Sequence, residues 1–270
     1  MLKLETNAHL QLVWLSKEAR DKWENVISQI SAEVQRLEIE SVKKDHRLAA
    51  WQTIPTSKLS EFTMNNYENN DLYTYPIKNV GQWNGFSHKT VPVKNGEPTN
   101  TYCVLTKDMN IAIDFKNAHF AGNHIKQGEY LGFPDCCTNF FIENWSKSII
   151  DPISEMKDIE NPHPYSNPLL RYLGVRSGFH IPCSFNCEKT IKIGEQRVKL
   201  GDEVLMKIMT RLLSMPMSWD NYHGIAIIRT PIFHIIVQSN PVKERKFIKI
   251  PGNFIPKEAV KGNIYPNTEV

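Results

Sequence analysis

The chain has 270 residues, 41% of them apolar and 23% charged, with a formal net charge of +3. That length buries a full core, and the composition is ordinary for a globular protein. The small charge does not indicate nucleic acid or an anionic membrane as a partner, and no apolar run approaches the roughly 18–20 residues that span a bilayer.

The start, MLKLETNAHLQLVWL, alternates polar and apolar residues and does not read as a signal peptide. A cytoplasmic location is therefore expected, where thiols stay reduced. Five cysteines, an odd count, do not suit a complete disulfide framework.

Residues 3–14 read as a short strand. Ser16 then looks like the N-cap of a helix running to about residue 50. Trp23, Ile27, Ile30, Val34 and Leu37 recur on it at three- and four-residue spacing, a stripe expected to face the core, with a dimer seam as the alternative. Residues 52–100 are polar and rich in Asn, Pro and Gly, and read as an irregular segment packed through Tyr67, Tyr73, Tyr75, Trp83 and Phe86.

Thr101–Thr106 and Asn110–Phe115 flank a Lys-Asp-Met turn and read as a β-hairpin. Residues 117–131 look helical, ended by Gly132 and Pro134. Residues 135–146 form the next expected helix, with Asp135 as its cap. A short helix over 167–174 follows, another begins near Ser184 or Asn186, and a third spans 202–214 with Val204, Leu205, Ile208, Met209 and Leu212 inward. Gly224–Ile228 and Ile232–Gln238 read as strands, and the tail after 240 is expected to lie over the surface. These elements predict an α+β fold, with helices around a small antiparallel sheet in one cysteine-centred domain and a long helix before it. They divide the chain into residues 1–100, 101–240 and 241–270.

Four of the cysteines fall in two short motifs. YLGFPDCC places Cys136 beside Cys137, and HIPCSFNC places Cys183 four residues before Cys187. The pairs lie about 45 residues apart, and soft thiolates gathered in this way hold zinc or an iron–sulfur cluster. Structural zinc is usually held by pairs of cysteines two to four residues apart. Cys183 and Cys187 fit that pattern, whereas Cys136 and Cys137 do not. Neighbouring cysteines serve a larger cluster more easily, so a 4Fe-4S cluster is the first expectation and zinc the alternative. Both pairs also lie near expected helix N-termini, which favour the thiolate. The bland reading is four packed thiols, since free cysteine behaves as a small hydrophobe. Cys103 reads as a core residue, with a further ligand role as the alternative.

The blocks YLGFPDCCTNFF, NPLLRYLG, HIPCSFNCEKT and MPMSWDNYHGIAIIRTPIF resemble a prokaryotic family. Its members carry a Gly-aromatic-Pro-x-Cys-Cys block, a Pro-Cys-Ser-Phe-x-Cys block and a Trp/His-Gly segment. The resemblance covers roughly residues 110–238 and implies no activity. In cysteine order alone, Cys103, Cys136, Cys137, Cys183 and Cys187 are similar to the cysteine-rich repeat of heterodisulfide reductase subunits, which implies an iron–sulfur cluster. Here Thr138 replaces the glycine expected after the double cysteine, and three residues rather than two separate the last pair.

His180, three residues before Cys183, is a candidate ligand or hydrogen-bond donor beside the site. His223 is a candidate general base with Asp220 as its orienting carboxylate, against the simpler reading of a histidine holding a turn. No HExxH, phosphate loop, dinucleotide fingerprint or Gly-x-Ser-x-Gly elbow is present. Two functions follow. One is a cytosolic iron–sulfur enzyme with an open iron for a small molecule or nucleoside. The other is a structural zinc module that organises a protein- or nucleic-acid-binding surface.

Overall fold

The computed structural model describes residues 10–81, 92–145, 152–160, 162–238 and 244–259. Residues 3–9 of the expected first strand, Trp83, Phe86, residue 146 and much of the expected tail lie outside these. The fold is α+β, with antiparallel sheets and a long N-terminal helix, and the described residues form two compact units.

Helix α1 (Lys17–Lys43) begins where Ser16 Oγ accepts the Ala19 amide at 3.1 Å. Trp23, Ile27, Ile30, Val34 and Leu37 are all buried along it, as the stripe predicts. It stops at Lys43 rather than near residue 50. Asp45 takes a left-handed φ of 57°, a conformation Asp tolerates, and the chain turns into a strand at Ala49.

One unit is built on three strands, β2 (Ala49–Pro55), β3 (Tyr73–Gly81) and β4 (Thr99–Thr106), in the order β2-β4-β3. The segment expected to be irregular therefore holds the end of β2, helix α2 (Leu59–Asn70) and β3. Its pattern was obscured for local reasons. Pro76 is tolerated because β3 is an edge strand, and a register shift between Pro76 and Lys78 breaks the alternation. Helix α2 is Asn-rich and ends at Asp71, which has φ 51°.

The expected second strand of the hairpin is instead helix α3 (Met109–Phe120). Asp108 caps it, accepting the Asn110 amide at 2.8 Å, and Ala112, Phe115 and Ala118 are buried at helical spacing. The helix expected over 117–131 is split between the end of α3 and α4 (His124–Tyr130), which Asn123 caps through the Lys126 amide. One face of this sheet meets Phe115, Ala112, Tyr130 and Leu131, and the other meets Val42 and Leu72. Helix α5 (Asp135–Trp145) follows.

The second unit is built on five strands: β1 (Leu10–Trp14), β5 (Met217–Tyr222), β6 (Ile225–Arg229), β7 (Phe233–Gln238) and β8 (Lys246–Ile250), in the order β1-β7-β6-β5-β8. Met217, Trp219, Ala226, Ile228, Ile235 and Val237 alternate inward. Strands β6 and β7 match expectation, and β8 corrects the reading of that part of the tail as surface chain. Helices α6 (Glu188–Leu200) and α7 (Glu203–Leu213) belong to the same unit, with Asp202 capping α7 through the Leu205 amide. The short helix expected over 167–174 is one 3-10 turn, Arg171–Leu173.

Candidate metal centre

The first cysteine pair is placed by regular backbone. At the end of α4 the Phe133 amide donates to Gly128 O at 2.9 Å and the Gly132 amide to Glu129 O at 3.1 Å, the double bond of a Schellman turn. That turn requires Gly132 at φ 67°, and a Cβ there would lie 2.8 Å from Arg47 Cβ. Pro134 then opens α5, its carbonyl accepting the Cys137 and Thr138 amides, both at 2.9 Å. Asp135 is thus the first helical residue rather than the cap, and Cys136 and Cys137 occupy the first turn.

The second pair is placed by side-chain hydrogen bonds. Ser184 Oγ accepts the Asn186 amide at 2.9 Å and donates to Asp158 Oδ2 at 2.5 Å. Ser166 Oγ donates to Ser184 O at 2.8 Å and accepts the Cys187 amide at 3.3 Å. The Phe185 amide reaches Lys157 O, and Phe185 O accepts the His163 amide, both at 2.9 Å. Cys187 is the N-cap of α6, slightly later than Ser184 or Asn186. Ser184 therefore holds the turn. Ser166 and Asp158 were not singled out from sequence, because no local motif marks a residue that acts 18 or 26 positions away.

The Sγ atoms of Cys136, Cys137, Cys183 and Cys187 all lie within 4.8 Å of one another. Cys136 and Cys137 are 3.9 Å apart, sulfur to sulfur. None of the chain's five cysteines is in a disulfide; Cys137 and Cys187 are buried, while Cys136 and Cys183 are half-buried. Such a set can hold a metal ion.

Cys103 and His180 are not part of that group. Cys103 is fully buried in β4, where burial pushes its thiol up to about 11. His180 Nε2 lies 2.8 Å from Thr190 Oγ1, and burial, with the nearby Arg197 and Arg176 charges, pushes the ring down to about 3. His223 sits in the two-residue turn between β5 and β6, at φ 51° beside Gly224 at φ 82°, as a primed hairpin turn requires. The Asp220 carboxylate is held by Arg245 and by Arg229 Nη1 at 3.5 Å, not by His223.

The fold and site thus define an α+β protein with a four-cysteine cluster fit for a metal ion. Over residues 104–213, a stretch containing all four cysteines, the chain is similar to a family described as "Protein of unknown function (DUF483)". No curated protein and no solved structure matches the chain. Among the described residues, no helix is long and apolar enough to cross a membrane.

Proposed function

We propose that the four cysteines hold a single tetrahedral zinc ion as a structural module in a reducing compartment such as the cytoplasm. The observation that carries this is the spacing of the sulfurs. Zinc–sulfur bonds of about 2.3 Å set a tetrahedral edge of about 3.8 Å. A cubane cluster spreads its outer thiolates to roughly 6–7 Å, because four irons lie between them. A set within 4.8 Å, with one pair at 3.9 Å, supports one ion over the cluster expected from sequence. Two helix N-termini at the ligands favour the negative charge of four thiolates. Four protein ligands close the coordination sphere, which suits a role in organising a binding surface rather than in turnover.

The half-burial of Cys136 and Cys183 favours a second reading, an iron–sulfur cluster with an iron open to a small molecule or nucleoside. Metal analysis and an absorption spectrum of anaerobically purified protein separate the two. About one zinc per chain in a colourless protein is expected. Bound iron with broad absorption near roughly 400 nm would replace zinc by the cluster. Protein without either metal, and without affinity for added zinc, would return the thiols to the core.

A further inference from the structure

The five-stranded sheet carries a second polar group, independent of the cysteines. Ser218 pairs directly with Arg229 across β5 and β6, and Arg229 pairs with His234 across β6 and β7. Direct cross-strand partners point to the same face with Cβ atoms about 5 Å apart. The three side chains therefore form one row, on the face opposite Met217 and Trp219. Asp220, two residues beyond Ser218, shares that face and ties down Arg229 and Arg245. Two guanidinium groups against one carboxylate leave an excess of positive charge.

Two atoms of the row are orphaned. Ser218 is fully buried, and among the described residues its Oγ has no hydrogen-bond partner. His234 Nε2 is likewise buried without a partner. A buried polar atom left unsatisfied is destabilising, so each orphan favours a ligand that pairs with it. Burial, and then the Arg229 charge, hold His234 below the ordinary imidazole range. A neutral ring carries one N–H donor, which Nε2 can bear. A hydroxyl, an imidazole N–H and a guanidinium in one row are all donors, and an oxyanion satisfies all three. On the same face, Ile227 and Ile236 pair in the next row and give a bound molecule an apolar surface to lie on.

We propose that the Ser218–Arg229–His234 row binds the oxyanion group, phosphate or carboxylate, of a small ligand. The test is isothermal titration of the full chain with inorganic phosphate and, separately, with acetate, for the wild type, Ser218→Ala and Arg229→Gln. One anion should bind the wild type at a single site, and which one names the ligand's group. Arg229→Gln should weaken it about tenfold or more, and Ser218→Ala several-fold. Without anion, Ser218→Ala should melt no lower than wild type, because it deletes an orphaned hydroxyl. If Arg229→Gln does not fold, Ser218→Ala decides alone. Failure of both anions to bind, or equal binding in wild type and the folded variants, overturns the proposal. Metal content, measured on the same samples, keeps this outcome separate from that of the zinc reading.

Discussion

The two cysteine segments are held in place by different physics. Around Cys136 and Cys137 the chain is set by regular backbone, through the Schellman turn at Gly132 and the first turn of α5. Around Cys183 and Cys187 it relies on the hydroxyls of Ser166 and Ser184 and the carboxylate of Asp158. A thiol set by regular structure is positioned by residues next to it in the chain. A thiol set by a side-chain network depends on residues far away in sequence, and has more to gain from a metal that fixes it.

Removing the proposed metal breaks the comparison most severely. Binding free energy at a site that the unfolded chain lacks is folding free energy, so chelation or Cys187→Ala should lower stability by about 3 kcal/mol or more. Calorimetry beside metal analysis reads this directly. Cys103→Ala serves as the contrast: some core stability is lost with metal content unchanged. Equal melting of Cys187→Ala and wild type, each with its metal measured, would remove the structural role.

The next effect tests the backbone-held segment. Gly132→Ala forces a side chain onto a left-handed residue and brings Cβ to 2.8 Å from Arg47 Cβ. Arg47 has little room to yield, since its guanidinium is ion-paired with buried Glu38 and bonded to Glu38 O at 2.8 Å. A loss of about 2 kcal/mol is expected in thermal or denaturant unfolding. Gly132→Asn should recover only the conformational part, because Asn tolerates the left-handed region but keeps the contact with Arg47.

Ser166→Ala sharpens the other side. It removes a donor to Ser184 O and an acceptor for the Cys187 amide. The expected loss is about 1–2 kcal/mol. Because the network positions Cys183 and Cys187, metal affinity should fall as well, whereas an equal destabilisation elsewhere in the second unit should leave affinity alone. Competition with a coloured chelator measures it. Unchanged affinity would mean that the hydroxyl network holds the loop without positioning its thiols.

What could be read from sequence follows the same division. The stripe of α1, the Gly-Phe-Pro stop before α5 and strands β6 and β7 depend on short-range patterns, and they appear where expected. Asn110–Phe115 alternates like a strand, but one cap at Asp108 and burial of Ala112 and Phe115 make it a helix. Strand β8 has a pattern of its own, yet only pairing with β5 makes it more than tail. The four cysteines were legible as a set. The preference proposed here for one ion over a cluster was not, because it rests on sulfur spacing that no sequence pattern contains.

The smallest expected effect concerns His180, in the segment leading to Cys183. Its ring is pushed down to about 3 by burial, helped by the Arg197 and Arg176 charges, and its Nε2 meets Thr190 Oγ1. A histidine whose folded pKa lies below its unfolded value of about 6.5 binds its proton more readily in the unfolded chain. Its contribution is therefore complete above about pH 6.5 and is lost as pH falls from there towards about 3. Between pH 7.5 and 5.5 the loss amounts to about 1 kcal/mol. Acid also protonates thiolates and would weaken the proposed metal site, so the slope of the wild type alone does not isolate the histidine. His180→Gln does, because it keeps a polar partner for Thr190 and removes the titration. Unfolding free energies of both proteins at the two pH values should show the variant losing about 1 kcal/mol less on acidification. Parallel slopes would mean that His180 takes up its proton in the folded protein, and that the polar scaffold before Cys183 is open to water rather than closed around the ring.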